Sequence, residues 1–248
     1  MKEIEKTKKK ISYFKNPFNY CDHRCEKCSL IDKCEIYQKS FSQRLSHIIK
    51  DEDPDDPMVF FSDLKDNFKN IVELIKKEIK KYGLDPKKME IKISKNSFYQ
   101  EFNFKKIPIW QKSQEFKTEL NSLLEDIFTQ EDEEIRDIFF KKQEIVEELD
   151  WYNNFFSEVL TRALAIKKFS LIKKEDSLTK IQEKEMNISA RLSFQSLEKC
   201  QKILKNDFLE FSGYLNWIEN LIIKNRSILE EIETKFPDSY KEMTIFHG

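Results

Sequence analysis

Four of the five cysteines fall within one short stretch, Tyr20-Cys21-Asp22-His23-Arg24-Cys25-Glu26-Lys27-Cys28-Ser29-Leu30-Ile31-Asp32-Lys33-Cys34. The spacing C-x3-C-x2-C-x5-C puts Cys21, Cys25, Cys28 and Cys34 within reach of one another along the backbone. Tetrahedral thiolate sets of this kind select zinc or an iron-sulfur cluster. Structural zinc sites more often use two C-x2-C pairs set well apart, whereas a compact run of four is typical of [4Fe-4S] clusters, so the spacing favours the cluster and keeps Zn2+ as the alternative. Four thiolates saturate a cluster, which points to electron transfer, redox sensing or a structural role rather than direct chemistry. His23 could replace one thiol. As loop residues, His23, Arg24 and Lys27 would instead supply N–H groups and positive charge against the thiolates.

Other chemistry finds little support. A di-iron carboxylate site draws Glu and Glu-x-x-His from facing helices. The only histidines are His23, His47 and His247, and none has a glutamate three residues before it. Glu73, Glu144, Glu147, Glu148 and Glu183 then read as solvated faces. No serine stands near a histidine in a motif that would activate it, so no catalytic residue is assigned and the reading leans away from an enzyme. The acidic run Asp51 to Pro57 lacks the glycine and distal glutamate of a calcium loop and reads as a linker. Aromatic and basic residues interleave from Phe98 to Trp110, with Lys105 and Lys106, and Trp151, Tyr152, Phe155 and Phe156 precede Arg162. Core packing accounts for both groups better than base stacking or a ligand pocket.

The remainder must be scaffold, and its punctuation indicates few, long elements. Glycine occurs only 3 times, at Gly83, Gly213 and Gly248. Phosphate loops, nucleophile elbows and many-turned folds need more residues able to take positive φ. Apolar residues recur at helical spacing from Ile36 to Ile48, then from Phe61 to Tyr82, the clearest stripe, ending at Gly83. Leu84 to Gln111, with Pro86 and Pro108, reads as irregular. Phe116 to Ile127 marks a shorter helix, and Ile135 to Ala163 keeps one rhythm for about eight turns behind an acidic start. Asp176 or Ser177 can cap the next helix, in which Cys200 lies on the apolar stripe as a small buried hydrophobe. A last stripe runs from Phe208 to Phe236 and closes at Pro237.

Length and charge bound the rest. A chain of 248 residues can bury a core without disulfides. Lys+Arg 44 against Asp+Glu 45 leaves no net field for nucleic acid or an anionic membrane. Met1 to Lys10 is charged and reads as a solvated start. No segment approaches the ~18 uninterrupted apolar residues of a membrane span, so a cytoplasmic location is expected, where clustered thiols hold metal rather than form disulfides.

Three resemblances attach to the cysteine motif. Cys21, Cys25 and Cys28 match the C-x3-C-x2-C pattern of radical SAM enzymes, but Lys27 stands where that family has an aromatic, the glycine-rich cofactor contacts are missing and Cys34 would occupy the open iron. Cys25-x2-Cys28-x5-Cys34 is similar to the last three cysteines of endonuclease III-type glycosylases, whose first gap is six and whose glycine-bearing hairpin is absent. The chain as a whole resembles a family of uncharacterised bacterial proteins that begins with Asn-Tyr-Cys-x3-Cys-x2-Cys-x5-Cys and ends near Phe-Pro after a long helix, here Asn19 to Cys34 and Phe236-Pro237. Its tail departs from that family's Arg-Pro-Gly-Phe-Asp-like ending. The resemblance implies a metal site and no activity.

The sequence thus predicts an all-α protein, a bundle of about four long antiparallel helices starting near Met58, Glu131, Ser177 and Asp207. A four-cysteine metal-binding lobe over 1–50 joins the bundle over 51–248 in one integrated domain. A protein partner would dock near the four-cysteine loop. Zinc would make the protein a non-enzymatic interaction module, and the di-iron reading predicts iron that survives loss of the cysteines.

Overall fold

The computed structural model describes residues 20–81, 103–172 and 180–247. Every regular element among them is helical, apart from one isolated parallel bridge between Cys21 and Ile245. The described residues form seven α-helices: α1 (Glu35–Ile49), α2 (Pro57–Lys81), α3 (Pro108–Thr129), α4 (Glu133–Lys141), α5 (Gln143–Ile172), α6 (Lys180–Asp207) and α7 (Leu215–Lys235). None is long and apolar enough to cross a membrane. The expected cap at Gly83, the segment Leu84 to Phe102 and the cap at Asp176 or Ser177 lie outside the described residues.

The chain divides into two compact units, one of residues 1–28 with 102–248 and one of residues 29–101. The cut therefore falls between Cys28 and Ser29, where the sequence reading placed a boundary at residue 50.

In the larger unit α3, α5, α6 and α7 pack in a closed ring: α3 on α5, α5 on α6, α6 on α7 and α7 back on α3. Their inward stripes supply Phe116, Leu120 and Leu123 from α3, Tyr152, Phe156 and Leu160 from α5, Leu197, Cys200 and Leu204 from α6, and Ile218, Leu221 and Ile232 from α7, all fully or almost fully buried. Each such aliphatic or aromatic side chain contributes about 1.5–3 kcal/mol on burial, and the closed ring is what lets one stripe per helix be covered. Buried polar groups fix the register. Asn153 donates to Asn121 (2.7 Å) and to the Lys117 carbonyl (3.1 Å), Ser193 to the Phe156 carbonyl (3.1 Å) and Asn225 to the Leu197 carbonyl (3.0 Å). Sliding any of these helices by a turn would strand a buried amide or hydroxyl.

Four expectations shift. The clearest stripe, now α2, belongs to the smaller unit, and α3 takes its place among the four packed helices. Pro108, placed by the sequence in the irregular stretch Leu84 to Gln111, stands at the first turn of α3, where its missing N–H costs nothing. The run from Glu131 is two helices: Asp132 caps α4 by accepting from the N–H groups of Glu134 (2.9 Å) and Ile135 (3.3 Å), and the break at Lys142 comes where the apolar rhythm meets a lysine, whose Nζ lies 3.2 Å from Glu210. The last stripe begins with a turn, since Phe208 and Phe211 are buried with ring centroids 5.3 Å apart before α7 starts at Leu215.

In the smaller unit, Asp51 to Asp56 form the turn between α1 and α2. Asp56 accepts from the Met58 N–H (2.6 Å) at the start of α2, and Asp55 takes a bidentate hydrogen bond from Arg44 (2.8 and 2.9 Å). His47 reaches Glu52 from Nδ1 (2.6 Å) and Asp63 from Nε2 (3.0 Å), which ties α1 to α2.

Candidate functional site

Cys21, Cys25 and Cys28 lie on an irregular stretch in the larger unit, whose shape is set by backbone hydrogen bonds. The Cys25 N–H donates to the His23 carbonyl (2.9 Å), Lys27 to Arg24 (3.0 Å) and Cys28 to Cys25 (3.1 Å), so Cys25–Lys27 form one 3-10 turn. His23 sits at φ 58, a left-handed conformation unusual for a side chain with a Cβ. That reversal turns the chain between the first two cysteines. The His23 ring is held edge-on to Phe155 on α5, with centroids 5.3 Å apart.

Asp22 holds this loop to the scaffold. Its carboxylate is 0% exposed and accepts from four donors: the Tyr152 hydroxyl (3.1 Å), the His247 N–H (2.7 Å), the His247 ring Nδ1 (2.7 Å) and the Arg24 N–H (3.3 Å). Its carbonyl accepts from Trp151 Nε1 (3.2 Å), and its N–H donates to the Ile245 carbonyl (3.1 Å). The Ile245 N–H returns a hydrogen bond to Tyr20 (2.7 Å), completing the Cys21–Ile245 bridge. Burial would raise the Asp22 carboxyl, but the hydrogen bonds and charge of His247 outweigh it and hold it below the usual carboxylate range. Burial, with Asp22 adding to it, pushes the Tyr152 phenol well up, so this hydroxyl is a fixed donor.

Around this anchor the loop's cations also find partners. The Arg24 guanidinium lies 5.7 Å from the centre of the Trp151 ring and 5.9 Å from that of Tyr152, and it pairs with Glu26. Lys27 Nζ meets Glu148 Oε1 at 2.8 Å, and Lys199 Nζ approaches the same oxygen at 3.4 Å. Beneath lie Phe155, Val159, Ile188 and Leu192, on which Tyr20 and Phe246 pack. The aromatic run Trp151 to Phe156 is thus core on one face and loop support on the other.

The cysteines themselves divide. None is in a disulfide, and the four of the motif are half-buried, while Cys200 is fully buried in the core as expected of a small hydrophobe. The Cys21 thiol is pushed up to about 12 by burial foremost, with the Cys25 and Cys28 sulfurs among the neighbours adding to the rise. Cys34 belongs to the smaller unit. It immediately precedes α1, and its carbonyl accepts the Gln38 N–H (2.9 Å). Among the described residues no three histidine, cysteine or carboxylate side chains are arranged to hold a metal ion. The donor chemistry of the four thiols suits a soft metal.

Sequence reasoning missed Asp22 and His247. Both were visible, one inside the motif and one beside the C-terminus, but a separation of 225 residues leaves no local signal of pairing. No family model matches the chain, and neither a curated protein nor a solved structure does.

Proposed function

We propose that Cys21, Cys25, Cys28 and Cys34 hold a [4Fe-4S] cluster used for electron transfer or redox sensing, on a small lobe carried by a four-helix bundle, with a protein partner docking beside Arg24 and Lys27. What carries this reading is the turn from Cys21 to Cys28, which folds three thiols not engaged in disulfides onto one short loop whose backbone is fixed by a buried carboxylate. Rigid support behind the ligands is what a metal centre needs for a defined geometry. Arg24 and Lys27 stand on the same loop and would offset part of the thiolate charge. Four sulfur ligands leave no open iron, and no catalytic residue is proposed.

The ties between the loop and the C-terminal segment favour zinc as a second reading, in which the metal completes a structural clasp. Purification without oxygen, followed by metal analysis and a visible spectrum, separates the two. Iron and acid-labile sulfide in equal amounts, with absorption bleached by reductant, is the expected result. Stoichiometric zinc in a colourless protein moves the assignment to the second reading, and neither metal overturns both. A Cys21→Ser/Cys25→Ser/Cys28→Ser/Cys34→Ser variant that keeps its iron would return the di-iron reading.

A further inference from the structure

The smaller unit leaves an apolar stripe open on α2. Phe61, Leu64, Phe68 and Val72 follow one another at intervals of three and four, and Phe61 and Phe68 are 62% and 60% exposed. Lys65, Lys69, Glu73 and Lys76 line the same groove. A continuous apolar face from Phe61 to Val72, about 17 Å along a helix of 25 residues, is the mark of a docking surface rather than scattered exposure.

The charge along the same chain decides what fits it. From Asp51 to Asp66 there are seven acids and one lysine, whereas from Lys69 to Lys77 there are three lysines and one glutamate. A second copy laid antiparallel, with Leu64 of each facing Phe68 of the other, brings Lys76, on the edge of the groove, to the acidic turn of its partner at Asp56. It also brings Phe61 and Val72 of each chain into one apolar seam. A parallel copy in register would instead put Lys76 on Lys76 and the acidic turns side by side. The antiparallel arrangement is isologous: one two-fold axis near Asp66 satisfies both copies. Arg44 already holds Asp55 by two hydrogen bonds, so the acidic turn is ordered before a partner arrives.

We propose that α2 is a homodimerisation surface, pairing antiparallel with α2 of a second copy through Phe61, Leu64, Phe68 and Val72. The pairing needs no metal, so it stands or falls apart from the reading of the cysteines.

Sedimentation of the whole chain across a hundredfold range of concentration tests it. The expected result is a monomer–dimer equilibrium that Phe61→Glu/Phe68→Glu abolishes and that salt weakens. Because the apolar change could disturb folding, the Lys69→Glu/Lys76→Glu variant, at two exposed lysines that line the groove, is the second arm. With unchanged helical circular dichroism it should weaken dimerisation at least tenfold. A wild-type chain that stays monomeric throughout, its stripe then covered by another segment or a different protein, overturns the proposal. So does a dimer that neither variant affects.

Discussion

Asp22 and His247 meet across almost the whole chain: the buried carboxylate takes both the backbone N–H and the ring Nδ1 of the histidine, each at 2.7 Å. With Tyr152 supplying a third donor from α5, one side chain joins the cysteine loop, the scaffold and the C-terminal segment. A carboxylate with this many donors is costly to replace, because every donor loses its acceptor at once inside a dry site.

Asp22→Asn should therefore destabilise the protein by about 3 kcal/mol, since the amide keeps the shape but loses the charge and turns a donor toward donors. Chemical denaturation followed by circular dichroism measures it. A loss below about 0.5 kcal/mol, the scatter of ordinary surface changes, would show the network to be incidental.

Tyr152→Phe removes one hydrogen bond to a charged acceptor and leaves the ring in the core, so about 2 kcal/mol is expected, less than for Asp22→Asn. Combined with His247→Ala, the two losses should be non-additive, because both donors serve one carboxylate. Strict additivity in the double-mutant cycle would sever the proposed link.

Cys200 and the motif cysteines should separate cleanly. Cys200→Ser buries a hydroxyl among apolar neighbours and should cost about 1–3 kcal/mol while leaving metal content unchanged. Cys25→Ser and Cys28→Ser should do the reverse, losing metal from protein that remains helical. Metal analysis beside a thermal melt reads both, and metal lost from the Cys200 variant alone would count against the assigned ligands.

The tie between α1 and α2 should depend on pH. The hydrogen bond that the His47 ring donates to Glu52, with that to Asp63, raises the His47 pKa above its ordinary 6.5. A raised folded-state value means that the contribution is complete below pH 6.5 and fades as the pH climbs through the raised value. Proton NMR titration of the His47 ring, with amide exchange over Asp51 to Asp56, follows it. A midpoint at or below 6.5 would contradict the geometry.

Helical character, the absence of turn-rich architecture and the burial of Cys200 were all present in the sequence, because scarce glycine and three-and-four spacing are local properties that each segment carries alone. The limits of such reasoning show at Pro108, Lys142 and Phe208. A proline reads alike as breaker or first helical residue, a lysine in an apolar rhythm is neutral until Glu210 meets it, and two phenylalanines three apart fit a helix or a buried turn. Which four helices close into a ring was a tertiary decision. The strongest stripe, on α2, lay outside it, since amphipathicity says that a face needs a partner without saying which. The cysteine spacing carries the proposal of a soft metal from sequence alone, and the metal analysis above decides it. Only the fold could bring Asp22, Tyr152 and His247 to one point, because attraction between groups this far apart in the chain exists only once the packing of the rest has paid the entropy of closing the loop.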